Sequence, residues 1–132
     1  MQEYQAIQTS LGILRGRDAI YLVSIDVQIT SGILRLVGNI SGSLCSEPQT
    51  QDWISYQLSF YGVLAFKVIE LDSWDHVSSS SFDEVVNSNW IRELGGKVTP
   101  SHKHYLVQIY DDVVEVVCKR YDLQIMKEED GD

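Results

Sequence analysis

The chain has 132 residues, a mass of 15.0 kDa, and 19 acidic against 10 basic residues, giving a formal net charge of -9. That size suits one domain with one core, and 44% hydrophobic against 22% charged residues excludes wholesale disorder. The negative balance opposes phosphate backbones and anionic lipid surfaces, so neither nucleic acid nor membrane is an expected partner, whereas a basic protein is.

Met1 to Ser10 is polar rather than a basic and apolar leader, and no run reaches the roughly eighteen apolar residues of a membrane span, which points to a cytoplasmic protein. Leu11 to Arg15 suggests a short edge strand. Ile20 to Ile29 alternates, with Tyr21, Val23, Ile25, Val27 and Ile29 on one parity, as a half-buried strand does. Ser31-Gly32 then turns the chain into Ile33 to Ile40, so the two strands predict an antiparallel hairpin. Asn39 to Asp52 is rich in Ser, Gly and Gln and carries Pro48, the composition of an exposed loop. Ile54 to Tyr61 alternates again, Gly62 interrupts, and Val63 to Leu71 resumes as a second strand or as the bent half of one long strand.

Ser81 and Glu84 stand at capping-box spacing, Phe82, Val86, Trp90 and Leu94 recur every fourth residue, and Gly95-Gly96 follows. This predicts one helix over about residues 82–94 lying on a sheet face, with Ser88-Asn89 weak enough to break it into two short helices. His104 to Tyr110 and Val113 to Lys119 flank Asp111-Asp112 as a second hairpin, whose turn the aspartates would allow to adopt left-handed angles. Tyr121 to Ile125 extends the sheet, and Lys127 to Asp132 is an acidic tail with no apolar anchor, expected to be mobile. The fold expected is α+β and mostly β: antiparallel sheets forming a sandwich or partly open barrel, with residues 1–126 as one domain and 127–132 as the tail.

Chemistry-bearing constellations are sparse. His102 and His104 share a strand face if the strand starts early, and with His76 beside Asp72 or Asp75 they would make a divalent-metal site. That spacing resembles the H-x-H element of cupins, which are jelly-roll metal proteins, although Gln108 and Tyr110 stand where a glutamate is expected. Apart from such a metal, no cofactor is expected, because phosphate-binding glycine motifs are missing. Cys45 and Cys118 lack paired metal spacing, and Cys118 in its apolar run reads as a small buried hydrophobe. The serines lack a G-x-S-x-G elbow, so no catalytic residue can be named and an enzyme is the less favoured class. Trp53 and Trp74, the latter between Asp72 and Asp75, are instead the kind of aromatic anchors found at protein interfaces.

The residues Asp52-Trp53, Glu70 to Trp74, Ser81-Phe82, Ser88 to Ile91, His104-Tyr105, Tyr110 to Val113 and Glu115 to Val117 together resemble a pattern in small uncharacterised bacterial proteins, over about two thirds of the chain. The resemblance implies a compact bacterial domain and brings no catalytic residue. In size, acidity and aromatic content the chain is also similar to immunity proteins that neutralise polymorphic toxins, which implies a protein partner. The function expected is therefore non-enzymatic protein binding through an acidic, aromatic surface. The alternative is a small-molecule or metal site built on His76, His102 and His104. Self-association through exposed strand edges is a third setting.

Overall fold

The computed structural model describes residues 1–47, 49–74 and 76–126. Among the described residues there are nine strands, β1 (Glu3–Ala6), β2 (Ile20–Gln28), β3 (Ile33–Ser41), β4 (Trp53–Tyr61), β5 (Ala65–Glu70), β6 (Phe82–Val86), β7 (Lys103–Gln108), β8 (Asp112–Cys118) and β9 (Arg120–Met126), one short α-helix, α1 (Asn89–Leu94), and two single 3-10 turns at Gly42–Leu44 and Leu71–Ser73. The strands form two antiparallel sheets, β1-β6-β7-β8-β5 and β2-β3-β4-β9. The architecture is α+β and mostly β, as the alternating segments predict. The predicted tail, Lys127 to Asp132, lies outside the described residues.

Alternation explains how the sheets face each other. In β4, Ile54, Tyr56, Leu58 and Phe60 are buried on one side, and in β3 Leu34, Leu36 and Ile40 join them. They pack against Tyr105 and Val107 of β7 and Val114, Val116 and Cys118 of β8. Each such side chain withdrawn from water contributes about 1.5–3 kcal/mol before entropy is charged against it. Leu11 and Leu14 also enter this core, yet the predicted edge strand at 11–15 does not form; single bridges, Thr9 to Gly12 and Leu14 to Cys45, hold the segment instead. It seals the core as a loop, which burial alone accomplishes without a ladder.

β8 is buried on both sides, because Val113, Glu115 and Val117 face the opposite way from Val114, Val116 and Cys118. On that outer side Val113 joins Leu106 and Val85 in a second, smaller cluster with Tyr4, Leu71 and Trp74. The face carries its own covering elements, α1 and the segment that follows β5.

The helix predicted over 82–94 is corrected. Phe82–Val86 is strand β6, paired with β1 on one side and β7 on the other, and only Asn89–Leu94 is helical. A spacing of four residues is even, so a strand also places Phe82 and Val86 on one side, and the stripe could not discriminate. Ser81 is no helix cap: its hydroxyl donates to the Gly16 carbonyl, while buried Asp83 accepts from the Ser79 and Ser80 amides and the Ser80 hydroxyl. The break falls at Ser88, whose hydroxyl caps α1 by accepting from the Ile91 amide, after Asn87 turns the chain at φ 56°. Gly95 and Gly96 close the helix at φ 52° and 56°, as expected.

The first hairpin departs from simple alternation too. A bulge at Val23 shifts the register between Leu22 and Ser24, so Tyr21 and Ile25 no longer share a face. Gly38 makes room for it, since a Cβ there would lie 1.9 Å from the Tyr21 carbonyl oxygen. The second hairpin forms where predicted, with the Ile109 amide donating to the Asp112 carbonyl, but Asn87 is the one non-glycine residue at positive φ among those described, so Asp111 and Asp112 are not left-handed. No helix among the described residues is long and apolar enough to cross a membrane.

Candidate functional site

Three aromatic rings meet at the start of β2. Tyr21 stacks on Tyr110 with centroids 5.1 Å apart and planes at 16°, and packs edge-on against Trp53 at 5.0 Å. Tyr110 comes from the turn between β7 and β8, so the two sheets contribute jointly. Trp53 and Tyr110 are exposed, at 53% and 39%. Two shallow depressions adjoin the rings: one of about 520 Å³ beside Trp53 and Asn39, and one of about 160 Å³ beside Tyr110, Asp111 and Asp112.

The surroundings of this platform are acidic. Asp52 precedes Trp53 in the chain, and Asp18, Asp111 and Asp112 lie around the tyrosines. The Tyr21 phenol is raised above its ordinary pKa, first by partial desolvation and then by Asp18, Tyr110 and Asp111, which favours the neutral, hydrogen-bond-donating form. Arg17 already uses the platform: its guanidinium lies 4.9 Å from the Tyr110 ring centroid, donates to the Tyr110 carbonyl at 2.9 Å and lies 3.6 Å from Asp111. Aromatic faces combined with carboxylates attract cations in this way.

A second constellation is buried. His104 on β7 lies 2.7 Å from the Ser88 hydroxyl through Nδ1 and 2.7 Å from Glu115 Oε1 through Nε2. Burial opposes ionisation of Glu115, but the hydrogen bond and electrostatic attraction of His104, the Lys67 ammonium and the nearby Trp74 indole outweigh it, and the carboxyl ends below its ordinary pKa. The Trp74 indole N–H is buried near Glu115 but makes no hydrogen bond among the described residues. Lys67 bridges the outside, 3.7 Å from Glu115 and 4.2 Å from the centroid of Trp90, whose ring packs edge-on against His104.

A serine, a histidine and a glutamate linked in a row by hydrogen bonds have the composition of a hydrolytic triad, but the geometry serves another role. Ser88 and His104 are 5% and 2% exposed, and the Ser88 oxygen that would attack a substrate is committed to the Ile91 amide. With Nε2 protonated, the imidazole donates to Glu115 and accepts from Ser88, so every member is satisfied. The chain of bonds pins α1 to the sheet.

The residues singled out in the sequence separate accordingly. Trp53 belongs to the aromatic platform. Trp74 is half-buried on the outer face of the other sheet, with Tyr4 6.2 Å and His76 5.5 Å from its ring, and exposed Asp72 sits in the turn after β5. Asp75 lies outside the described residues. His102 accepts the Thr99 amide through Nδ1, whereas both nitrogens of His104 are engaged as above. Among the described residues no three His, Cys, Asp or Glu side chains are grouped to hold a metal ion. Cys118 is fully buried with its thiol pushed up to about 12 by burial, as its apolar run predicts. Tyr21, Tyr110, Ser88 and Glu115 were not legible as site residues. Counting pairs back from the second turn would have found one of these contacts: Ile109 opposite Asp112 places Leu106 opposite Glu115 and His104 diagonally beside it.

No protein-family model and no curated protein matches the chain. Among solved structures it is similar to an uncharacterized protein from Neisseria gonorrhoeae at 8% identity, covering 94% of this chain and 97% of that one, with a TM-score of 0.44.

Proposed function

We propose that this chain is a non-enzymatic binding protein whose platform of Trp53, Tyr21 and Tyr110, set among Asp18, Asp52, Asp111 and Asp112, docks a basic segment of a partner protein. The observation that carries this is the position of Arg17, a guanidinium held at once by an aromatic face and a carboxylate. An arginine or lysine from a partner meets the same two attractions on the remaining exposed ring surface. Large, stiff aromatic side chains lose little entropy on binding, and surrounding carboxylates steer a basic partner by long-range attraction. An immunity-type role against a basic toxin is one biological setting with this chemistry.

The test uses wild type, Trp53→Ala and Tyr110→Ala as baits in lysate of the source organism, with each captured protein purified and its affinity measured. A basic protein should bind wild type, weaken with rising salt and lose about tenfold or more in affinity to either variant. Equal affinity for all three baits would move the interface elsewhere and sink the proposal.

A further inference from the structure

The acidic residues are unevenly spread. Between residues 19 and 46 and between 53 and 69, which take in β2, β3, β4 and all of β5 except its last residue, Glu70, the charged side chains are Asp26, Arg35 and Lys67 alone. Most of the large exposed apolar side chains lie in the same stretches: Val23, Ile25, Val27 and Ile29 in and after β2, and Leu64, Phe66 and Val68 around β5. The chain thus carries one nearly neutral, apolar side on a molecule of net charge -9.

Topology explains why these side chains are exposed. Ile25 and Val27 pair with Leu36 and Leu34 and so point to the inner side of their sheet, and Phe66 and Val68 pair with Val116 and Val114 and point inward from theirs. β2 and β5 are edge strands, and the sandwich is left open along this side. Side chains aimed at the core therefore stay 38–50% exposed. At one end the opening widens to an apolar cavity of about 260 Å³ lined by residues that include Val27, Ile29, Leu34, Val63 and Phe66. Monomers rarely leave contiguous apolar surface and a long unpaired strand edge side by side.

We infer that the β2 edge is the interface of a homodimer, in which β2 pairs antiparallel with β2 of a second copy and Ile25, Val27 and Ile29 close the open side of both sandwiches. Charge selects a second copy as occupant. A basic partner is drawn to the acidic surface elsewhere, whereas two copies of this chain, each of net charge -9, repel overall and do so least across this near-neutral side. Asp26 is the one charge on β2, and any register not centred on it avoids opposing two carboxylates. A two-fold axis supplies complementary amides and carbonyls from identical edges.

Sedimentation velocity of the full chain at increasing concentration tests this independently of the aromatic platform, because Val27 and Ile29 lie outside that site. The wild type should shift from 15.0 kDa toward twice that mass, and the dimer should persist in high salt. Val27→Lys should weaken dimerisation by about tenfold or more, since the charge would be buried in an apolar contact. Ile29 is 87% exposed in the turn after β2, so Ile29→Lys keeps the test valid if Val27→Lys fails to fold, and it should weaken the dimer in the same direction. A wild type that stays monomeric at every concentration, or a dimer untouched by a folded variant, would overturn the inference. So would native mass spectrometry showing a monomer carrying a co-purified apolar small molecule.

Discussion

Replacing His104 by alanine is the sharpest test of how the outer face is held. The ring engages Ser88 and Glu115, and its removal leaves a carboxylate that is only 5% exposed without its closest partner. Depriving a buried charged acceptor of its hydrogen-bond donor costs upward of about 1–3 kcal/mol, and Lys67, still 3.7 Å from Glu115 and half-exposed, holds the expectation to about 3 kcal/mol. For a domain of this size that loss lowers Tm by about 10 °C. Urea unfolding followed by circular dichroism measures it directly. The double variant His104→Leu/Glu115→Met should recover part of the loss, because the unpaired charge goes with it. A single-variant cost below about 1 kcal/mol would refute the account of a pinned helix. The same site predicts a pH dependence. Glu115 has its folded-state pKa below the ordinary 4.5, so the unfolded chain binds its proton first and the stabilisation is complete above that value. It is lost as pH falls through the folded pKa, and Glu115→Gln should therefore flatten part of the acid limb of the stability curve. An unchanged acid limb would contradict the assignment.

Gly38→Ala should destabilise by about 1–3 kcal/mol in chemical denaturation, because the added methyl collides with the Tyr21 carbonyl across the bulge. Trp53→Ala should cost less than about 1 kcal/mol despite removing the largest side chain, since Trp53 is mostly outside the core, and a thermal melt close to wild type would show it. Both cysteines are buried, and Cys118 has its thiol pushed up to about 12, so neither should react with a thiol-detecting reagent at neutral pH until the chain is unfolded. Rapid labelling of native protein would contradict that packing.

By itself the sequence determined the parts that depend on local periodicity and punctuation. The alternation of Ile54 to Tyr61 required a strand with one buried side, Ser31-Gly32 and the Tyr110 to Asp112 region required turns, and Gly95-Gly96 required a helix stop. What alternation cannot specify is a residue whose environment comes from a distant strand. Phe82 to Val86 is a strand because β1 and β7 flank it, and an even spacing left its period ambiguous. The bulge at Val23 reassigned the face of Tyr21, and only the arrival of Tyr110 from the other sheet made that ring part of a platform. Ser88, His104 and Glu115 lie on three different elements, and Trp74 and His76 were separated from His102 by the sheet order rather than by any local signal. Secondary structure follows from neighbours a few residues away, whereas both constellations rest on contacts between segments far apart in the chain, which only tertiary packing brings together.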